Sequence, residues 1–228
     1  MNFGTLYIVA TPIGNLEDIS YRAIRILKSV SCVYAEDTRV VNKLFTKYNI
    51  DTKALSYHQH SSDVLRMEIV KRLVEGEGLA YVSDAGTPGI SDPGSELVSF
   101  VLAKEPRVKV IPIPGPSAVT AALSVSGFKT TPFMFIGYFP RGKRLKTMQL
   151  LINAHCIIVF FERPSRLLRT LIYLKSQLSP HRKIFIGREL TKIYETQYRG
   201  TIANVVDEIS SDIKSDKGEA VVVLDSTL

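Results

Sequence analysis

Four short segments gather the residues that could do chemistry in this 228-residue chain. They are 11-TPIGNLED-18, 35-AEDTR-39, 84-DAGTPGISDPG-94 and 114-PGPSA-118, and each follows an apolar run. Glycine lets a backbone approach a ligand closely, proline stiffens a loop, and Asp, Ser and Thr supply donors and acceptors. Such loops suit a nucleoside with ribose hydroxyls and a polar tail. A strand-to-helix connection needs only about 2–6 residues, and the third segment is roughly twice that. Turn and capping chemistry accounts for any one segment alone. Their recurrence at four equivalent positions points to a bound ligand.

Other constellations are weaker. His58 and His60 in YHQH lack cysteine or carboxylate partners at metal-ligand spacing and read as a solvated loop. No G-x-x-x-x-G-K-[ST] is present, which excludes a phosphate-gripping loop of that type. No G-x-G-x-x-G follows the first strand, so a standard dinucleotide fold is not indicated. No Ser-His-Asp arrangement stands out. The run 141-RGKRLK-146 places Arg141, Lys143, Arg144 and Lys146 on an expected loop beside Tyr138 and Phe139. Aromatic rings next to cations are what stacked bases and phosphates require, so this run is a candidate RNA contact. A solvated charged face is the other reading.

The elements that would position the loops follow a regular order. Strands are expected at 5–10, 32–36, 79–83 and 107–113, and helices at 18–30 (capped by Asp18), from Thr38, at 62–75 and at 95–104. Unbroken apolar strands alternating with helices argue for a mostly parallel sheet covered on both faces. Ligands on such sheets bind beyond the carboxyl ends of the strands, where all four loops fall. PIPGPSA (112–118) marks a boundary, giving expected domains 1–115 and 116–228. The second half predicts a helix rich in Ala and Ser, strands at 133–138, 156–161, 183–187, 193–199 and 219–225, and helices at 164–178 and 201–212. Its consecutive strands at 183–199 suggest antiparallel pairing. The fold class is therefore α/β with two α/β domains.

Bulk properties set limits. Hydrophobic residues make up 45% and charged residues 22%, as in ordinary globular proteins. A net charge of +7 is compatible with a polyanionic partner without requiring one. Cys32 and Cys156 lie in apolar runs and read as small buried hydrophobes rather than a disulfide or metal pair. No run of about 18 apolar residues is present, and the first residues read as a strand rather than a signal peptide. The expectation is a cytoplasmic protein with no membrane span.

The motifs LYIVATPIGNLEDIS, AEDTR, VSDAGTPGISDPG, PIPGPSA, FFERPSR, RELTK and KGEAVVV, in this order, resemble the S-adenosylmethionine-dependent tetrapyrrole methylase superfamily. Within it they resemble the branch that methylates a cytidine ribose 2′-oxygen of 16S rRNA. The resemblance covers essentially the whole chain. It implies two α/β domains with S-adenosylmethionine in the cleft between them, usually in a homodimer, acting on 16S rRNA in the small ribosomal subunit. It also implies cofactor contacts from Ile13, Asp84, Thr87, Ser117 and Ala118, and from Phe161, Leu190 and Glu219 in the second domain. Asp92 then reads as a turn-shaping residue. Two departures stand out: ERPSR replaces the more usual Glu-Ser-x-His-Arg, and many relatives continue beyond position 228 into a small helical extension.

For such a transfer the protein mainly aligns a ribose hydroxyl, and a base can take its proton. Asp37 is the leading candidate, with Glu36 and Glu189 behind it, although Asp37 is equally placed to cap the helix from Thr38. Arg39, Arg166, Arg188 and Lys192 suit phosphate contacts, or structural ion pairs. The alternatives are methylation of a small molecule of tetrapyrrole type by the same fold, and a non-catalytic RNA-binding or assembly factor.

Overall fold

A computed structural model describes residues 2–142, 145–211 and 218–226. The chain divides into two compact units, Met1–Ser117 and Ala118–Leu228.

Unit 1 holds strands β1 (Thr5–Val9), β2 (Cys32–Ala35), β3 (Ala54–Ser56), β4 (Leu79–Val82) and β5 (Lys109–Ile113). Helices α1 (Tyr21–Ser29), α2 (Thr38–Tyr48), α3 (Asp63–Val74) and α4 (Gly94–Lys104) connect them. The sheet order is β3-β2-β4-β1-β5, and every pairing is parallel. Side chains on β2 and β4 are buried on both faces, which is why these strands read as unbroken apolar runs. Alternate residues serve different layers. Val9, Val33, Ala35, Ala80 and Val82 meet Ala23, Leu27, Val41, Leu44 and Phe45 of α1 and α2. Leu6, Tyr34, Leu79 and Tyr81 meet Ile69, Leu73, Leu97 and Val101 of α3 and α4 on the other face.

The strand order carries a functional consequence. From β1 the chain moves to β2 and then to β3 in one direction, then returns through β4 to β5 in the other. With right-handed crossovers, that reversal sends α1 and α2 to one face and α4 to the opposite face. The loop after β4 therefore parts from the loops after both of its neighbours, β1 and β2. Such a switch point opens a crevice at the carboxyl ends of the strands.

Unit 2 comprises α5 (Ala118–Ser126), β6 (Phe133–Tyr138), α6 (Leu145–Asn153), β7 (Ile157–Glu162), α7 (Pro164–Gln177), β8 (Lys183–Arg188), β9 (Thr196–Thr201), α8 (Ile202–Ser211) and β10 (Ala220–Leu224). Its sheet runs β6-β7-β10-β8-β9, with β6 and β7 parallel and the other pairings antiparallel. The β8–β9 pairing is the antiparallel one expected from sequence. Every residue of central β10 is buried.

Three local expectations are corrected. Asp18 does not cap α1: Leu16–Asp18 form a 3-10 turn, and the Ser20 hydroxyl accepts the N–H of Ala23 instead. The serine stands three residues before that N–H, as a capping oxygen must. The short edge strand β3 was not anticipated. Nor was α6, so Lys146 sits in the first turn of a helix rather than on a loop.

One buried polar node ties unit 2 together. The Glu162 carboxylate, fully buried, accepts the N–H of Arg163 at 2.8 Å and the Thr170 hydroxyl at 2.7 Å, and pairs with Arg166 at 3.3 Å. The Arg166 guanidinium also donates to the Phe139 carbonyl at 3.2 Å. This joins the end of β7 to α7 and to the residue after β6. Breaking a buried pair leaves a charge without its partner, so Glu162→Ala is expected to lower unfolding free energy by about 3–5 kcal/mol. Thr170→Val should lower it by about 1 kcal/mol. Urea denaturation followed by circular dichroism measures both. A loss at Glu162 no larger than that at Thr170 would show that the node does not hold unit 2.

Candidate active site

At the unit 1 switch point the loops after β1 and β4 are stitched together by backbone. Thr11 and Gly86 exchange two N–H···O bonds, each 3.0 Å, and the Thr11 hydroxyl donates to the Ser83 carbonyl at 3.3 Å. Gly86 has φ +80°, and a side-chain carbon there would lie 3.3 Å from the Ile13 methyl. Glycine is thus required for conformation as well as for close approach. Ile13 is buried and forms an apolar wall against the bridge. The Thr87 hydroxyl donates to the Pro116 carbonyl at 3.0 Å, which brings the loop after β5 into the same cluster. Ile13, Asp84, Thr87 and Pro116 therefore converge, as do the loops that carry them.

The loop after β2 is joined to the loop after β4 by a reciprocal pair. Asp84 accepts the N–H of Asp37 at 2.9 Å, while the N–H of Asp84 bonds the Glu36 carboxylate. Glu36 and Asp37 differ sharply in state. Asp37 caps α2, accepting the Arg39 N–H at 2.8 Å, and its side chain grips the Arg39 guanidinium at 2.6 Å. The Arg39 hydrogen bonds hold its carboxyl at about 2. Glu36 is half-buried, and its carboxyl is raised by desolvation and then by the neighbouring charges of Asp84 and Asp92. Of the two candidate bases in AEDTR, Asp37 is occupied by a cap and an ion pair, whereas the carboxyl of Glu36 is the one raised.

Asp92 organises the far half of the third loop. It accepts the N–H groups of Gly89, Ile90 and Gly94 at 2.8–3.1 Å and lies 3.5 Å from the Tyr81 hydroxyl. Tyr81 and Thr11 are structural members of this site that were not singled out in the sequence. A Thr-Pro step directly after the first strand was the available signal for Thr11.

In unit 2 the predicted residues fall into separate groups. Glu189, Lys192 and Glu219 form one cluster: Lys192 bonds Glu189 at 2.9 Å and Glu219 at 3.1 Å, and Glu189 accepts the Glu219 N–H at 2.8 Å. Burial alone would raise the Glu189 carboxyl, but Lys192 and that N–H outweigh it and hold it low. Lys192 is thereby committed to carboxylates. Leu190 lies over Gly187 of β8, where a side-chain carbon would sit 2.7 Å from Leu190. Arg188 ends β8. Phe161 stacks edge-on with Phe135 and Tyr138 at 4.9 and 5.5 Å between centroids. Ser117 ends unit 1 and Ala118 begins α5. Arg141 is exposed, whereas Lys143 and Arg144 lie outside the described residues. Arg166 is spent on the buried Glu162 node. His58 and His60 are exposed, and no group of residues able to hold a metal occurs among the described residues. Cys32 and Cys156 are free thiols.

The family model described as Tetrapyrrole (Corrin/Porphyrin) Methylases matches residues 5–206, spanning both units. The chain belongs to the tetrapyrrole methylases. Among curated members, it is 43% identical over 223 residues to the ribosomal RNA small subunit methyltransferase I of Xylella fastidiosa, covering 97% of this chain and 81% of that one. The protein of the same name from Thermotoga maritima is 43% identical over 222 residues, covering 97% and 98%. Solved structures share the fold at low identity. Diphthine synthase superposes with TM-score 0.75 at 14% identity, covering 99% of this chain and 91% of that one. A Thermus thermophilus uroporphyrin-III C-methyltransferase, complexed with S-adenosyl homocysteine, gives 0.66 at 17%, covering 96% and 97%.

The depressed Asp37 carboxyl has a consequence for this tetrapyrrole methylase. Its folded value of about 2 lies below its ordinary 3.8. Its pairing therefore stabilises the native state above about pH 4 and is lost as pH falls through 2. Asp37→Asn keeps a capping oxygen without the charge. Its thermal midpoint should lie below wild type at pH 7, with the gap narrowing steadily from pH 4 toward pH 2. A gap that stays constant over that range would remove the ion pair as its cause.

Proposed function

We propose that this protein is an S-adenosylmethionine-dependent methyltransferase that modifies the ribose 2′-hydroxyl of a cytidine in 16S rRNA. The observation that carries the proposal is its identity of more than 40%, over nearly the full chain, to proteins named ribosomal RNA small subunit methyltransferase I. The reading includes a homodimer acting in the cytoplasm. No described helix is long and apolar enough to cross a membrane.

The donor set of unit 1 fits the cofactor. The segments 11–18, 84–94 and 114–118 contain no Lys or Arg. The loop after β2 has Arg39, but Asp37 neutralises it. A site with carboxylates and no free cation suits a ligand whose charge is positive, such as a sulfonium with its amino group, and disfavours a phosphate. The Ile13 wall supplies apolar contact, and the exposed Asp84 carboxylate supplies acceptors beside it. Ile13, Asp84, Thr87 and Ser117 are thus the proposed cofactor contacts of unit 1, and Ala118 follows directly at the start of unit 2. In unit 2 they are Phe161, Leu190 and Glu219.

Bound S-adenosylmethionine supplies a methyl group already activated by its sulfonium. The chain's own part is alignment of the acceptor and handling of its proton. A ribose hydroxyl is a weak acid, so a carboxylate raised above its ordinary range is a better partner than one held near 2. Glu36 is therefore the proposed base, and Asp37, through its N–H to Asp84, is the proposed positioning residue. Glu189, held low by Lys192, is the weaker candidate. Arg39, Arg141, Lys143, Arg144, Lys146 and Arg188 remain proposed RNA contacts, with Arg39 engaged by Asp37.

Transfer from labelled S-adenosylmethionine to small ribosomal subunits tests the function, with subunits lacking the target 2′-hydroxyl as control. Cofactor binding without transfer to any RNA would sink it. Glu36→Gln should reduce kcat about 100-fold, within the range of general-base contributions, while leaving cofactor affinity within about twofold. Wild-type rate should rise with pH as Glu36 deprotonates, and that rise should vanish in the variant. A variant retaining the wild-type pH profile would move the base elsewhere.

A further inference from the structure

Helices α1 and α2 lie on the same face of the unit 1 sheet and share one core cluster beneath them. Their inner residues are Ala23, Ile26, Leu27, Val41, Leu44 and Phe45. Their outer residues include Arg22, Arg25, Lys28, Arg39, Lys43 and Lys47, all exposed. Neither helix contains an Asp or Glu. This is not a property of unit 1 at large, which carries thirteen Lys and Arg against thirteen Asp and Glu. Six of those cations and none of those carboxylates fall on these two helices.

The opposite face shows what a merely solvated surface looks like in the same unit. There α3 and α4 carry both signs, and their charges pair: Arg66 with Asp63 at 3.2 Å and with Glu96 at 3.5 Å, and Lys71 with Glu75 at 3.8 Å. On α1 and α2, only Arg39 has an ion-pair partner among the described residues, while Arg22, Arg25, Lys28, Lys43 and Lys47 have none. The nearest sequence acids, Glu17, Asp18, Glu36, Asp37 and Asp51, all lie outside both helices, and only Asp37 pairs with one of these cations, Arg39. The cations recur about once per turn, at 22, 25 and 28 and at 39, 43 and 47, which spaces them roughly 5 Å apart along each axis. Leaving like charges unpaired along two neighbouring helices opposes folding slightly, so a counter-charge from outside is the expected complement.

The position of this face matters as well. Helix α2 follows directly on the loop after β2, and α1 follows β1 through the 11–18 loop and its 3-10 turn, so both cationic stripes start just after loops of the candidate active site. Tyr21, the first residue of α1, is 93% exposed beside Arg22. An open aromatic ring next to a guanidinium offers a base-stacking surface.

We infer that the outer face of α1 and α2 is an RNA-docking surface that grips the phosphate backbone of the substrate beside the reacting nucleotide. The inference rests on the rRNA reading above and extends it to residues outside the 141–146 run. Contacts of this kind carry affinity rather than sequence selectivity, and each releases counterions, so they show themselves in salt dependence.

The test is filter binding of wild type, R22Q/R25Q/K28Q/K43Q/K47Q and the smaller K43Q/K47Q to small ribosomal subunits and to naked 16S rRNA, from 50 to 300 mM KCl. K71Q/K104Q on the opposite face is the matched control, and thermal midpoints verify folding. The expected result is at least a tenfold loss of affinity for the fivefold variant. Its log–log salt slope should be shallower by about 0.7–0.9 per contact removed. K43Q/K47Q should show a partial effect, and the control should show none. Wild-type affinity and slope in both α1–α2 variants would overturn the inference. So would a loss confined to assembled subunits with naked rRNA unaffected, which would assign the face to ribosomal protein. Methyl transfer is scored separately: wild type that binds through this face without transferring would refute the enzymatic reading and leave the docking surface standing.

Discussion

The loops after β1 and β4 leave the sheet toward opposite faces, and the two-bond bridge between Thr11 and Gly86 holds them together where they part. The candidate site of unit 1 depends on that constraint. Divergent loops at a switch point would otherwise gape. The bridge fixes their separation, brings Ile13 against Gly86, and sets Asp84 at the rim, where its neighbours from the β2 loop can reach it. The Thr87 contact to Pro116 extends the same clamp to the segment after β5. A site built this way is ordered by backbone hydrogen bonds within loops and does not wait on a ligand to assemble it.

Electrostatics then divides the labour among similar groups. Glu36 and Asp37 are adjacent in sequence, yet their surroundings push them apart. Arg39 and the helix N-terminus keep Asp37 charged. Partial burial among like charges makes Glu36 readier to hold a proton. Asp92, close by, is consumed by three backbone N–H groups and serves only to shape the loop. In unit 2, Lys192 imposes a different outcome on Glu189. Carboxylates that look interchangeable in the sequence therefore acquire distinct duties through one or two neighbours each.

Much of this was legible before any coordinates, for identifiable reasons. Strands β2 and β4 of unit 1 and β10 of unit 2 announce themselves because burial on both faces leaves no room for polar residues. The four loops stood out because connection alone does not need so many Gly, Pro and Asp. The cap of α1 was misplaced because a 3-10 turn absorbed Leu16–Asp18 and passed the capping duty to Ser20. Helix α6 was hidden because it starts inside a basic run that resembles a loop. The choice between Glu36 and Asp37 could not be read at all. It rests on the burial of Glu36 and on the charges of Asp84 and Asp92, 48 and 56 positions away, which composition and periodicity do not encode. The unpaired cations of α1 and α2 were visible as letters, but only the shared core beneath the two helices shows that they form one surface.

The reciprocal bonding between the Glu36–Asp37 pair and Asp84 has a consequence for how this site can change over time. Each loop supplies the other with both a donor and an acceptor, so neither can drift independently. A substitution at 84 would also disturb the bonds that hold Glu36 and Asp37, and one at 36 or 37 would be felt in the β4 loop. Divergence at these three positions should therefore proceed in concert, so that the two loops change as one unit.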